Sequence, residues 1–319
     1  MPKTFKYLLF SCLLFVILYL TLGLNFEKLS NVTFALKLRI PKLISIILVA
    51  YLIALSTSIF QAIIHNRLLT PSLLGMSSLY TLIHTLIVFF FGSLSIYANN
   101  RYVAFGIDLI MMVILTLVVY GYFFKKTGYN MLYILLIGTV LNSLFGSIQS
   151  SLIRIMDPNE YDALLSTLVA SFSKVNVSLL LVSIILTILL LFIFKKDLLY
   201  LDVLSLGRDI AINLGVNYDL LTRKLLVLVA LLLAIATALV GPLSFLGLIV
   251  VNIAREKCST YKHSILIPFA SILSICFLLG GQLIFERIFN YTVPISVWIS
   301  LIGGIYFFYL LIRKEKYEN

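Results

Sequence analysis

Long apolar runs recur along the whole chain, separated by short polar or turn-forming intervals. Most runs are about 20 residues long, enough for a helix to cross the roughly 30 Å hydrocarbon layer of a bilayer. Apolar residues are continuous within a run instead of alternating with polar ones, which argues against a membrane β-barrel. The pattern predicts an all-α polytopic membrane protein with about ten transmembrane helices, in a single transmembrane domain over residues 1–319.

The first predicted span follows two lysines, but its long apolar run and the lack of a small-residue cleavage site indicate an uncleaved helix. The eighth span is short, which indicates a broken or buried helix. An apolar piece at about 163–172 is too short to cross, and we expect a short external or re-entrant helix packed against protein. The ten predicted spans are residues 5–23, 43–64, 71–91, 102–124, 131–155, 177–194, 225–240, 243–254, 265–285 and 293–312.

The long polar interval at 201–222 has a helical pattern of its own. Polar and apolar residues alternate there, and Gly207 and Gly215 punctuate the segment. The pattern predicts one or two short amphipathic helices, at about 202–215, that lie against a membrane face. Another protein would be able to bind them there.

Each amphipathic helix is expected to have two faces with different partners. An element that transmits force between proteins needs one face on the membrane domain and a polar face for its partner. An ordinary interfacial helix is the alternative interpretation. The domain-facing residues are expected to be Leu204, Ile210, Ala211 and Leu214, and the partner-facing residues Arg208, Asp209 and Asn213.

Composition and charge agree with a membrane location. Hydrophobic residues make up 61% of the chain and charged residues 12%, with a mean hydropathy of +1.11, which excludes an ordinary soluble domain. With ten spans assigned, sixteen of the 24 Lys and Arg residues fall on the side of the two termini. The positive-inside rule therefore predicts that both termini and residues 201–222 are cytoplasmic. This asymmetry explains the net charge of +11, so no nucleic-acid partner is expected.

The chain lacks the motifs of an enzyme. It has no Walker A sequence, no Gly-rich phosphate loop and no HExxH, and its three cysteines show no CxxC spacing. We therefore expect no directly bound cofactor or metal and no ATP hydrolysis by this chain alone. If the protein pumps a substrate, its energy comes from a partner or from an ion gradient.

One acidic residue, Asp108, lies well inside a predicted span, and His84 is the histidine best placed in the membrane. Carboxylates inside membranes are energetically costly and often functional, which supports an alternative function as a proton- or sodium-coupled secondary transporter that uses Asp108. Against it, Asp108 is only about two helical turns from the outer end of its span. No second acidic residue at mid-depth completes a relay. A passive channel lacks a repeated polar ring or filter-like loop.

Two groups of polar or small residues are candidates for a translocation path. Span five carries Asn142, Ser143, Ser147 and Gln149, which either line a path or make interhelical hydrogen bonds within the subunit. At 241–242, the Gly-Pro pair between spans seven and eight permits a sharp turn. It either shapes a path or gate or is a simple connection. These path or gate candidates are Asn142, Ser143, Ser147, Gln149, Gly241 and Pro242.

Basic residues also cluster around Pro41 on the predicted outer side. Lys37, Arg39 and Lys42 either anchor the helix at the bilayer surface by snorkelling or form a docking point for acidic residues on an external partner. The residues alone do not choose between these interpretations.

Three stretches share a motif order with one known family. The first has RIPK at 39–42, then Gln61, Asn66, Pro71 and LGMSS at 74–78. The second has LG at 206–207, LGV at 214–216, GP at 241–242, GL at 247–248 and IAR at 253–255. The third has VPI at 293–295, IGG at 302–304 and FF at 307–308. In order and spacing, from about residue 39 to 313, they resemble the FecCD-type (BtuC-like) permeases, the membrane subunits of ABC importers for iron–siderophore, haem and cobalamin.

The chain departs from the motifs of that family at a few positions. The departures leave the expected fold unchanged, but they fall near the expected gate and partner interface. They are Arg67 in place of Pro, Arg208-Asp209 in place of an acidic pair, Val251-Asn252 in place of Pro-His, and Ser296 in place of Gly.

The resemblance implies a type II ABC importer permease fold in a bacterial cytoplasmic membrane. It implies a dimer with a second copy or a related permease, two cytoplasmic ATPase subunits that use ATP, and an external substrate-binding protein. Among substrates, it favours ferric siderophores. The implied ATPase-coupling residues are Leu206, Gly207, Arg208, Asp209, Asn213 and Gly215, and the implied docking residues are Arg39, Lys42 and Arg287.

Overall fold

The structure is a computed structural model that describes residues 3–22, 29–117, 122, 126, 131–173, 175–258, 260–289 and 294–318. Every regular element in this part of the chain is helical, and a π-helical turn, Ser72–Met76, precedes α3. The α-helices are α1 Lys3–Thr21, α2 Leu29–Ile64, α3 Ser77–Phe91, α4 Ile96–Asn99, α5 Arg101–Thr116, α6 Met131–Ile155, α7 Pro158–Leu168, α8 Val177–Ile193, α9 Lys195–Leu199, α10 Leu201–Leu204, α11 Arg208–Asn213, α12 Tyr218–Val240, α13 Leu246–Lys257, α14 His263–Arg287 and α15 Ile295–Glu318.

Five of these helices, α1, α2, α6, α12 and α14, are long and apolar enough to cross a membrane. Three apolar helices or helix segments are shorter, in α3, α8 and α15. With α5 and α13 these are ten helices at the positions of the ten predicted spans, so the predicted all-α polytopic architecture is confirmed. A few positions of these predictions lie outside the described residues. They are the ends of the first, fourth and last predicted spans at 23, 118–121, 123–124 and 293, and the basic residues Lys28, Lys125 and Lys174.

Two faces of the domain are defined by α1 and α14, which run parallel. Near the starts of these helices the ring centroids of Phe5 and Phe269 lie 6.1 Å apart. Near their ends the Tyr19 hydroxyl donates to Glu286 Oε1 at 3.4 Å. We call the face where α1 and α14 begin the N-terminal face, and the other the opposite face.

The central helix of the domain is α2, which packs against α12, α13 and α14. Close contact between packed segments depends on glycines that face larger residues. A Cβ added at Gly247 would lie 2.9 Å from Thr57 Cβ, and one added at Gly303 would lie 2.3 Å from Phe245 Cβ. Small residues at such positions let helices pack closely. Close packing matters inside a bilayer, because the hydrophobic effect does not drive helices together there.

Helix α2 begins at Leu29, fourteen residues before the predicted start at 43. The prediction was wrong because it took the charged segment around Pro41 as the end of the helix. Pro41 removes only one backbone hydrogen bond, and basic side chains do not themselves end a helix. Hydropathy therefore identified the more apolar part of the helix and not its start.

Two other helix starts are set by capping residues. The short helix α7 begins at Pro158, because Asp157 Oδ1 accepts from the Asn159 amide at 2.8 Å and proline suits the first helical turn. It therefore covers 158–168 instead of about 163–172. In the same way Asn217 Oδ1 accepts from the Leu220 amide at 3.2 Å and starts α12 seven residues before the predicted span.

The chain between α12 and α13 is not helical, and α13 begins only at Leu246. Gly241 has a φ of 99° and Phe245 a φ of 63°, both in the left-handed region. A Cβ at Gly241 would lie 2.8 Å from Ala170 Cα, so the position requires glycine for space as well as for conformation. With 12 residues, α13 is about 18 Å long and crosses only part of the bilayer, as its short predicted span indicates.

Candidate functional site

The amphipathic residues 201–220, which we call the coupling segment after the role predicted for them, lie on the N-terminal face, where α14 begins. Leu201, Leu204 and Ala211 are buried and hold the segment on the domain. His65, at the end of α2, donates from Nε2 to the Leu204 carbonyl at 2.8 Å. The segment is therefore attached directly to the central helix of the domain.

A second attachment joins the coupling segment to α14. Asp202 Oδ1 accepts from the His263 backbone amide at 2.8 Å and from its ring Nδ1 at 2.7 Å. An amide at the start of a helix has no partner within the helix, so Asp202 satisfies one such donor of α14. The coupling segment is thus joined by hydrogen bonds to α2 and to α14.

The two glycines of the segment set its shape. Gly207 has a φ of 103° and Gly215 a φ of 81°, which other residues rarely adopt. After α11, the Gly215 amide donates to the Ile212 carbonyl at 2.9 Å and the Val216 amide to the Ala211 carbonyl at 3.0 Å. This pair of bonds is a Schellman motif that ends the helix.

Two of the predicted domain-facing residues face outward instead. Ile210 and Leu214 are exposed, because α11 has only six residues and touches the domain through Ala211. They belong to an exposed apolar surface that we call the coupling patch. The patch consists of Leu206, Ile210, Ile212, Leu214 and Leu220, which are between 45% and 60% exposed.

Polar groups lie beside the coupling patch. Arg208 Nε is 3.6 Å from Asp219 Oδ1, and Asp209 and Asn213 are exposed. A shallow hollow of about 360 Å³ is bordered by Arg208, Asp219 and the chain from Gly215 to Tyr218. The surface thus offers apolar and charged contacts next to each other.

Asp202→Ala is expected to loosen the coupling segment, because it removes both acceptor contacts to His263. We expect a loss of about 1 kcal/mol, since the carboxylate is partly exposed, and faster trypsin cleavage at Arg208. Asp202→Asn keeps an acceptor oxygen and should lose less than half as much. Thermal denaturation and timed proteolysis of the purified protein measure both effects. Equal behaviour of the two variants would contradict the anchoring role.

The three predicted docking residues come together on the opposite face around the end of α1. Arg39 Nη1 donates to the Leu20 carbonyl at 2.8 Å, and Arg287 donates to the Leu22 carbonyl. Lys42 Nζ lies 3.8 Å from Glu286 Oε1. The last carbonyls of a helix need such donors, so these residues also have a structural role within the chain.

The candidate path residues on α6 divide into two groups. Asn142 accepts a hydrogen bond from Ser78, and Gln149 Oε1 accepts from the Thr81 hydroxyl at 2.9 Å. These bonds hold α6 against α3 within the subunit. Ser143 and Ser147 are exposed, like most of α6.

The other two path candidates lie at the end of α12. Gly241 is buried against Ala170, and Pro242 is half-buried. The Ser171 amide donates to the Val240 carbonyl at 2.9 Å, which closes the contact. Gly241 therefore joins α12 to the connection between α7 and α8.

Asn252 and Gln61 hold the turn that follows α2, a role that the sequence did not indicate. Asn252 Nδ2 and Gln61 Nε2 each donate to the Arg67 carbonyl at 2.8 Å. Arg67 and Asn252 are both departures from the family motifs. Two departures from the same motifs are the sequence signal that could have indicated a contact between Arg67 and Asn252.

His84 and Asp108 form a buried pair between α3 and α5. His84 Nε2 and Asp108 Oδ2 lie 3.1 Å apart, and both side chains are buried. The Tyr80 ring packs on His84 with centroids 4.5 Å apart. The sequence named both residues but not their contact.

The helices thus form a membrane domain that carries an anchored, exposed amphipathic segment on one face. The profile of the FecCD transport family matches residues 7–313. The chain therefore belongs to the FecCD transport family, whose members are permease subunits of ABC importers and not enzymes.

Individual relatives and a solved structure agree with this assignment. The chain is 44% identical to the petrobactin import system permease protein YclO of Bacillus subtilis, over 91% of this chain and 92% of that protein. It is 33% identical to the petrobactin permease FatC of Bacillus anthracis, over 88% and 79%. A structure described as an inward-facing metal-chelate type ABC transporter matches with a TM-score of 0.84 at 25% identity, over 98% of this chain and all of that one. The type II importer permease fold is thus confirmed.

Proposed function

We propose that this chain is the permease subunit of an ATP-driven importer of ferric siderophores. It forms half of a dimeric translocation path with a second copy or a related permease. Two cytoplasmic ATPase subunits bind the N-terminal face, and an external substrate-binding protein docks on the opposite face. Both termini are then cytoplasmic, in a bacterial cytoplasmic membrane.

The coupling patch is the observation that carries the proposal. It places apolar side chains in water on a segment that is otherwise anchored by hydrogen bonds to α2 and α14. Clustered apolar residues rimmed by charges mark a protein-binding surface. The basic asymmetry of the loops supports a cytoplasmic location for this surface, where ATP is available to a partner.

The opposite face supports the docking role of the basic residues. Arg39, Lys42 and Arg287 concentrate positive charge at one point, although each has a contact within the chain. Lys37, on the same stretch of α2, is exposed. A surface of one sign steers a partner of the other sign and speeds its association.

The exposed side of α6 supports a dimeric path. Its polar Ser143 and Ser147 are exposed in the isolated chain, and exposure of hydroxyls to lipid is less favourable than exposure to a path or to another subunit. A second permease against this side would cover them.

The names of the relatives support siderophores as the substrate class. The two petrobactin permeases are the relatives with 44% and 33% identity, and a Bacillus subtilis permease named for iron(3+)-hydroxamate import shares 27%. In the described part of the chain no group of three His, Cys, Asp or Glu residues is placed to hold a metal ion. None is needed, because the iron travels inside its chelate.

Uptake of radiolabelled ferric siderophore by cells that express the complete importer tests the proposal. Depletion of ATP should reduce uptake at least tenfold, while an ionophore that collapses ion gradients at constant ATP should leave it nearly unchanged. The reverse pattern would establish the secondary-transporter alternative and refute the proposal. Cysteine labelling at Lys37→Cys from outside and at Leu214→Cys only after permeabilisation checks the orientation.

A further inference from the structure

A polar cavity of about 310 Å³ lies inside the subunit near the opposite face, between α3, α5, α8 and the end of α12. It is partly open. Its titratable lining groups are Tyr80, His84, Arg101 and Asp108. It is separate from the coupling segment and from the exposed side of α6, although Gly241, one of the path or gate candidates, borders it.

The carboxylate of Asp108 is incompletely satisfied. The residue is only 2% exposed, and His84 contacts its Oδ2. Its Oδ1 has no hydrogen-bond partner among the described residues, although Asp108 lines the cavity. A buried carboxylate oxygen without a partner is energetically costly, and the residue borders a cavity with room for a ligand and water.

Two negative features border the cavity, the Asp108 carboxylate and a helix C-terminus, together with the positively polarised starts of α5 and α8. The last turn of α12, at residues 238–241, borders the cavity, and the C-terminal end of a helix carries partial negative charge. Arg101 belongs to the same face of α5, but it is exposed and stands seven residues earlier, about 10 Å along the helix axis. At the entrance its charge is screened by solvent.

The number of carboxylates in the cavity indicates which charge a bound cation would have. Asp108 is the one carboxylate among the lining residues that the structure describes. Divalent cations such as calcium require several oxygen ligands, commonly from more than one carboxylate. A singly charged hard cation needs only one carboxylate, completed by hydroxyls and water.

We propose that this cavity is a binding site for a monovalent hard cation, for which Asp108 Oδ1 is the protein's charged ligand. His84 holds the carboxylate in position through Oδ2. Bound cation satisfies the orphan oxygen and joins α5 to the end of α12. The site acts on the stability of the permease and does not depend on the identity of the transported substrate.

Thermal denaturation of the purified full-length protein in lipid nanodiscs tests the site, with sodium chloride replacing choline chloride at constant ionic strength. Saturating Na⁺ should raise the midpoint by about 2–4 °C. Asp108→Asn, which keeps the shape but not the charge, should remove the response and be at least as stable as the parent without Na⁺. The matched control Asp162→Asn, at an exposed carboxylate, should keep the full response.

A second variant keeps the test decisive if Asp108→Asn fails to fold. Arg101→Gln removes the positive charge at the entrance, so the Na⁺ concentration for half of the shift should fall about twofold or more. The proposal is overturned if Na⁺ and choline give the same midpoint, or if Asp108→Asn keeps the response. It is also overturned if the midpoint follows pH but not Na⁺, which would make the pair a proton site.

Discussion

Gly303→Ala is expected to lower the yield of folded permease several-fold, whereas Gly304→Ala is expected to leave it unchanged. A Cβ at Gly303 would lie 2.3 Å from Phe245 Cβ and 2.9 Å from its Cγ. Phe245 cannot move aside easily, because its backbone is held in the left-handed region just before α13 begins. Overpacking of this kind costs about 1–3 kcal/mol or more, which exceeds the gain of up to about 1 kcal/mol in helix propensity.

The neighbouring residue is the matched control. A Cβ at Gly304 would meet nothing within 4 Å, so only the gain in helix propensity applies there. Size-exclusion chromatography of the detergent-solubilised protein and its thermal midpoint compare the two variants in the same helix. If both variants behave alike, α15 does not pack on Phe245 as closely as the structure shows.

The passes could be predicted because bilayer-length apolar runs leave few alternatives. The fifth predicted span, 131–155, has the same bounds as α6. The error at the start of α2 has a physical cause: a helix continues through Arg39 and Pro41 as long as most of its backbone hydrogen bonds form, whatever the polarity of its side chains. Capping residues such as Asp157 and Asn217 carried boundary information that hydropathy ignores.

The functional surface was only partly predictable for a different reason. An amphipathic pattern separates apolar from polar residues, but it does not tell whether an apolar residue faces its own domain or a partner. Ala211 and Ile210 are adjacent and both apolar, yet the first is buried and the second half-exposed. Likewise, the contact between His84 and Asp108 depends on how α3 and α5 pack, which no local pattern encodes.

Exchanging Leu206 and Leu214 together for Glu is expected to abolish ATP-dependent uptake by removing the ATPase from the complex. Both side chains are more than half exposed in this chain, so the exchange should leave folding and membrane insertion intact. An interface that covers them would bury two unpaired charges, each costing about 2 kcal/mol or more. We therefore expect at least about 100-fold weaker binding.

Co-purification of the ATPase with tagged permease, followed by uptake measurements in the same cells, separates loss of binding from loss of protein. Leu206→Met with Leu214→Met keeps apolar contact and should retain both signals. Leu199→Glu changes a residue of α9 that is 75% exposed and lies outside the coupling patch. It tests whether a negative charge anywhere on this face is enough to release the ATPase. If the Glu pair keeps the ATPase bound while Leu199→Glu releases it, the ATPase binds α9 instead of the coupling patch.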